Sequence, residues 1–247
     1  MATSAELKQN ILNGGYDQAF AKLYGADTAT VAAQRVRYVD MIDHFEKNFG
    51  TGRTVCLYSA PGRTEIGGNH TDHNNGKVLA ASINLDAIAI AAKRDDMKIN
   101  EKSEGHGLNE VDISTLSPDE AEYGRSSSMI KGVAAGLKEK GYEIGGFDAC
   151  TTSDVMGGSG LSSSAAFEVL IATVINHLYN DGKIDAVTVA KAAQFSENVY
   201  FGKPSGLLDQ MASSVGTFVT IDFKDTANPV IKKVDFDFAK SGYSLCI

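Results

Sequence analysis

One run of small residues, Gly157-Gly158-Ser159-Gly160-Leu161-Ser162-Ser163-Ser164-Ala165-Ala166, constrains this chain more than any other feature. An apolar run before it, Phe147–Ser153, reads as a buried strand, and Ser163–Tyr179 after it reads as a helix. Small side chains let the backbone come close to a ligand. The start of the helix offers unpaired N–H groups and the positive end of its dipole. Strand, loop and helix together make an anion site suited to a triphosphate. The three consecutive serines Ser162-Ser163-Ser164 add hydroxyl donors, and one of them can ligate Mg²⁺. The run matches neither GxxxxGK[ST] nor GxGxxG. The plainer alternative is a Gly/Ser turn whose serine caps a helix.

The other segments mix helices and strands irregularly, which points to an α+β fold rather than a doubly wound sheet. Residues 5–24 read as a helix that Gly14-Gly15 can split, and a second helix runs from Thr28 to Phe49, with Thr28 or Thr30 as its cap. Arg53–Ala60 reads as a strand broken by Pro61-Gly62, and Val78–Lys93 as a long strand with a turn near Asn84-Leu85-Asp86. Lys98–Lys102 is a short strand, residues 103–126 read as irregular, and Ser127–Lys140 as a helix. Helices follow at Ala186–Tyr200, capped near Asp185, and Leu207–Val215. Strands follow at Phe218–Asp222, Val230–Phe236 and Tyr243–Ile247. The last strand stops at its most hydrophobic point, which implies a chain cut short; a natural chain with a docked final strand is the alternative.

With 31 acidic against 23 basic residues and a net charge of −8, the chain lacks the clustered cations that nucleic acid requires. A nucleotide site needs only local donors, so the charge does not argue against one. Cys56, Cys150 and Cys246 form no CxxC pair and read as buried free thiols in a reducing compartment. No basic-then-apolar leader and no membrane-length apolar run is visible, so the expected location is cytoplasmic.

A second constellation is Pro61-Gly62-Arg63-Thr64-Glu65-Ile66-Gly67-Gly68-Asn69-His70-Thr71-Asp72-His73-Asn74-Asn75-Gly76. It places a cation, imidazoles, carboxylates and amides on a Gly-hinged loop, which suits a polyhydroxylated ligand. His70, Asp72 and His73 also admit a metal reading, although three ligands so close in one loop seldom close a shell.

Arg63–Gly76 resembles the galactokinase signature. Gly157–Ala166 resembles the phosphate loop of the superfamily of galactokinase, homoserine kinase, mevalonate kinase and phosphomevalonate kinase. Glu197–Ser213 looks like the galactokinase segment with the catalytic carboxylate. The three motifs occur in the family's order, and the resemblance covers roughly residues 53–247. It implies the superfamily's N-terminal domain, of the ribosomal protein S5 domain 2-like type, over residues 51–247. Two helices in an extension, residues 1–50, precede it, and most of a C-terminal domain is missing. It also implies an ATP-dependent sugar kinase that forms galactose 1-phosphate in the full-length parent.

On that resemblance Asp209 is the catalytic carboxylate facing the C1 hydroxyl, and Arg63 lies beside it to stabilise the transferring phosphoryl group. Gly158, Ser159, Gly160, Leu161, Ser162, Ser163 and Ser164 cradle ATP, with Ser103 as a further nucleotide contact. Ser164 and Glu197 ligate Mg²⁺. Asn69, His70, Thr71, Asp72 and Gly206 form the sugar side. Without the resemblance, Asp209 reads as an acid at a helix start.

Two departures stand out. The usual loop has Glu-His-Thr-Asp where this chain has Asn69-His70-Thr71-Asp72, and Asn both donates and accepts without charge. That leaves the sugar's identity open. The superfamily's third Gly-rich motif and a sugar-contacting Tyr are missing, which implies low turnover for residues 1–247 alone. A non-catalytic sensor of sugar and ATP, or a kinase for another small alcohol, are the alternatives. The oligomeric state is not legible.

Overall fold

Ala87, Ala89 and Ala91 alternate with Ile88, Ile90 and Ala92 along one strand, and this two-residue period divides the molecule into layers. The computed structural model describes residues 2–236 and 238–242. Its N-terminal elements are β1 (Ala2–Thr3), α1 (Ser4–Leu12), α2 (Asp17–Tyr24), α3 (Thr28–Phe49), β2 (Thr54–Gly67), β3 (Lys77–Lys93), β4 (Lys98–Ser103) and β5 (Leu108–Asp112). There follow α4 (Ser126–Glu139), β6 (Phe147–Ser153), α5 (Ser163–Tyr179), α6 (Ala186–Phe195), α7 (Leu208–Val215), β7 (Phe218–Asp222) and β8 (Val230–Val234).

The sheet order is β1-β2-β3-β6-β4-β5, with β7 on the first half of β3 and β8 on β7. All pairings are antiparallel except β4 with β6. Ala87, Ala89 and Ala91 pack with α4, α5 and α6 on one face. Ile88, Ile90, Ala92 and Cys150 pack against Ile11, Phe20, Tyr38, Ile42 and Phe45 of α1, α2 and α3 on the other. A third cluster joins Val78, Ala80, Val219 and Ile221 to Leu208, Met211 and Ala212 of α7. The architecture is α+β, as the pattern of elements predicts.

A buried polar network binds the N-terminal helices to the start of the Gly/Ser loop after β6. Asp86 accepts from Tyr24 Oη at 2.6 Å, from Arg37 at 2.7 Å and from Ser59 Oγ. Its backbone carbonyl accepts from Asp154 N, one residue past β6.

Several local expectations need correction. Three helices, not two, precede residue 50, because the chain turns at Gly14 with φ +81°. Asp27, rather than Thr28 or Thr30, caps α3 by accepting from Thr30 N at 2.9 Å. Pro61-Gly62 does not end β2. Pro61 pairs with Asp86 and Arg63 with Ser82, so β3 bulges out three residues while β2 continues. Residues 103–126 contain a strand, β5, and a short helical turn at Glu120–Glu122. The helix from Ala186 changes to a π-helical turn at Ser196–Tyr200. The segment Tyr243–Ile247, read as a strand, lies outside the described residues.

Candidate active site

Between β6 and α5 the loop turns on Gly158 and Gly160, at φ +78° and +77°. A Cβ built on Gly157, Gly158 or Gly160 would meet nothing within 4 Å, so that side of the loop is open. Leu161 is buried and anchors the other side. Ser162, at φ 60°, is the N-cap of α5, but its side chain makes no cap hydrogen bond. Its hydroxyl donates to Asp209 Oδ2 instead. The reading of this stretch as a plain serine-capped turn therefore fails, and the first N–H groups of α5 have no serine side chain over them.

Opposite the bulge in β3, at Gly62 and Arg63, β2 lies against this loop. Arg63 N donates to Leu161 O at 3.1 Å. A Cβ on Gly62 would lie 3.0 Å from Leu161 O and 3.1 Å from both Val155 methyls, so strand and loop are in close contact there. The Arg63 guanidinium divides between two partners: Nε meets Asp209 Oδ1 at 2.7 Å, and Nη1 meets Gly160 O at 2.6 Å. Asp209, in the first turn of α7, is thus held on one oxygen by Arg63 and on the other by Ser162. Arg63 is nearly buried, whereas Asp209 keeps 29% of its side chain exposed.

Beside this pair is a second cluster. Ser164 Oγ donates to Glu197 Oε1 at 3.0 Å, and Lys203 Nζ reaches the same oxygen at 2.7 Å. Gln210 Nε2 donates to Glu197 Oε2 at 2.7 Å and lies 3.4 Å from Glu168 Oε2. Glu168, Glu197 and Gln210 are all buried, and Glu168 Oε1 and Gln210 Oε1 have no partner among the described residues. Burial, and then the negative charge of Glu197, pushes the Glu168 carboxyl well above the ordinary carboxylate range. Its hydrogen bond to Glu197 raises Lys203 above the ordinary lysine range. Ser164 and Glu197 supply hard oxygen donors to one point, which fits Mg²⁺ completed by phosphate oxygens.

Of the residues that the resemblance assigns to the sugar, Asn69, His70, Thr71 and Asp72 follow one another in one loop. Asn69 and His70 are exposed, with φ 51° and 53°. His70 N donates to Glu65 Oε1 at 2.8 Å, and its ring lies 3.3 Å from Glu65 Oε2. Thr71 Oγ1 closes the loop on Lys77 O at 3.3 Å. Asp72 is buried; its Oδ2 accepts from Leu208 N at 3.1 Å, at the start of the helix that carries Asp209, and its Oδ1 has no partner among the described residues. Gly206 lies against it so closely that a Cβ would fall 1.8 Å from Asp72 Oδ2. Asp72, His73 and Gly206 line one cleft of about 370 Å³. Ser103 ends β4 opposite Thr151, two residues before β6 ends. Among the described residues no three His, Cys, Asp or Glu side chains are placed to hold a metal, so His70, Asp72 and His73 do not form such a set.

Residues 43–93 match the family profile "Galactokinase galactose-binding signature", and residues 128–217 match "GHMP kinases N terminal domain". The galactokinase of Clostridium tetani is 35% identical over 175 residues, 70% of this chain and 43% of the relative. That of Pyrococcus furiosus is 39% identical over 167 residues, 68% and 46% respectively. The chain belongs to the galactokinase family. A structure of Lactococcus lactis galactokinase complexed with galactose superposes with a TM-score of 0.72 at 31% identity, over 81% of this chain and 52% of that one. A Methanococcus jannaschii mevalonate kinase superposes at TM-score 0.61 and 15% identity, a likeness of fold. The chain spans about half the length of the curated galactokinases it matches.

Three residues of this galactokinase-family site escaped the sequence reading: Glu168, Lys203 and Gln210. The signal for Glu168 was a lone carboxylate among the buried residues Ala165, Ala166, Val169 and Leu170, one helical turn after Ser164. Lys203 and Gln210 stand inside the quoted segment Glu197–Ser213, but nothing in their spacing says that both meet Glu197.

Proposed function

We propose that the protein transfers the γ-phosphate of ATP to the C1 hydroxyl of galactose, with Asp209 and Arg63 at the reacting centre. The observation that carries this reading is one contact chain: Ser162 and Gly160 of the phosphate loop, Arg63, and Asp209 are joined through hydrogen bonds. A nucleotide held on the loop N–H groups and the start of α5 therefore presents its terminal phosphate next to a carboxylate.

In the proposed step the C1 oxygen bonds to the γ-phosphorus while the bond from the γ-phosphorus to the bridging oxygen of ADP breaks. The proton of the C1 hydroxyl passes to Asp209. Each Asp209 oxygen has a second lone pair, so contacts with Arg63 and Ser162 leave room for the sugar hydroxyl. Arg63 orients Asp209 and meets the charge that spreads over the equatorial oxygens in a loose transition state. Ser164 and Glu197 would hold Mg²⁺, which neutralises the phosphate charge when bound. Ser103 is assigned a nucleotide contact. Asn69, His70, Thr71, Asp72 and Gly206 are assigned to the sugar. Asp72 Oδ1, a buried acceptor without a partner, suits a sugar hydroxyl.

ADP release by the whole protein, measured against a panel of monosaccharides, tests this. Release that depends on galactose is the expected result. Release only with another acceptor would overturn the substrate, and saturable galactose binding without ADP would indicate a sensor instead of a kinase.

A further inference from the structure

Lys203 meets the metal pair from outside. Its ammonium lies 2.7 Å from Glu197 Oε1, the oxygen that Ser164 Oγ also reaches at 3.0 Å. The other oxygen, Oε2, is fixed from behind by Gln210. Glu197 therefore has one face left for a cation, and Lys203 stands on it. The lysine is held in place by its backbone, since Lys203 N donates to Glu197 O at 3.0 Å as the π-helical turn ends. The two partners differ in exposure. The Glu197 side chain is 2% exposed and the Lys203 side chain 58%. A buried carboxylate needs a counter-charge or further hydrogen bonds. An exposed ammonium on a flexible stem can move into water at little cost.

We propose that Lys203 is a built-in counter-cation of the metal site: it neutralises Glu197 in the metal-free protein and must leave Oε1 when a divalent ion binds. This rests on the reading of Ser164 and Glu197 as the metal pair. A divalent ion held by Ser164 and Glu197 would compete with the ammonium for Glu197 Oε1, and two cations on one oxygen repel each other. Lys203 thus sets how tightly the site takes its metal, and keeps the buried carboxylate paired between turnovers.

The test is titration with Mn²⁺ alone, followed through the paramagnetic resonance signal of free Mn²⁺, on the wild type, Lys203→Met, Lys203→Gln and Lys203→Arg. Loss of an ion pair with one exposed partner should tighten Mn²⁺ binding about fivefold in Lys203→Met and Lys203→Gln. Lys203→Arg should stay near the wild type. The gain should vanish when Glu197→Gln is added to Lys203→Met. Equal or weaker Mn²⁺ binding in both uncharged variants, including no binding by any form, would overturn the role of Lys203. Galactose-dependent ADP release by the wild type decides the kinase reading separately. A wild type that turns over, beside variants with no gain in Mn²⁺ affinity, would remove this inference and leave that reading in place.

Discussion

Replacing Arg63 by lysine keeps the charge and removes the fork. In the structure, Nε serves Asp209 at 2.7 Å and Nη1 serves Gly160 O at 2.6 Å, two partners in different directions. One ammonium on a shorter reach can satisfy one of them. If Gly160 O is lost, the cost is about 1 kcal/mol for a neutral acceptor; if Asp209 is lost, about 1.5–3 kcal/mol for a charged one. Arg63→Lys should therefore destabilise the fold by about 1–3 kcal/mol. Arg63→Ala removes both contacts. Breaking a fully buried pair costs about 3–5 kcal/mol, and the partial exposure of Asp209 reduces this to about 2–4 kcal/mol. The effect on rate should be larger than the effect on folding. Removing a donor aimed at developing charge lowers kcat about 10²–10³-fold, the expectation for Arg63→Ala. Arg63→Lys keeps the charge but misplaces it, and should lose about 10–10²-fold. The assay is ADP release at saturating ATP and galactose, with urea unfolding of the same variants for stability. If Arg63→Lys turned over within about threefold of the wild type, the fork would not be needed and the argument from its two contacts would be wrong.

Gly206→Ala places a methyl 1.8 Å from Asp72 Oδ2 and must push that carboxylate off Leu208 N. We expect about 1.5–3 kcal/mol of lost stability and a rise in the KM for galactose of about tenfold, read from unfolding and initial rates; unchanged values would remove Asp72 from both its roles. Glu168→Gln should change the dependence of stability on pH. Because the folded pKa of Glu168 is raised, its contribution is fully present below the ordinary value of 4.5 and is lost as pH rises toward the folded pKa. The glutamine variant has no such loss. Its urea midpoint relative to the wild type should rise as the pH is raised above the ordinary value of 4.5, and a constant difference would mean that Glu168 stays ionised.

The parts of the fold that could be read from the sequence are those where one local pattern decides. The Gly/Ser loop between Phe147–Ser153 and Ser163–Tyr179 was legible because small residues follow an apolar run and precede a helical one. β5 was not, because Leu108–Asp112 is an edge strand in which Val111 alone is buried. Pro61-Gly62 looked like a break because Pro lacks an N–H, whereas the bulge in β3 lets β2 carry on through it. Arg63 and Asp209 lie 146 residues apart, and the residues alone left Asp209 as an acid at a helix start; the resemblance to galactokinases paired them. Lys203 and Gln210 reach Glu197 through the path of the loop that leads from the π-helical turn to α7, which residue types and spacing do not record.

The central claim is that the Arg63–Asp209 pair beside the phosphate loop moves phosphate from ATP to the sugar. Phosphorus NMR of the whole protein with ATP, Mg²⁺ and galactose, run beside Asp209→Asn, follows the transferred atom itself. The wild type should produce ADP together with a new sugar 1-phosphate resonance, and Asp209→Asn, folded to the same extent, should produce neither at a comparable rate. Equal product from Asp209→Asn, or ADP that appears with inorganic phosphate and no sugar phosphate, would contradict the account.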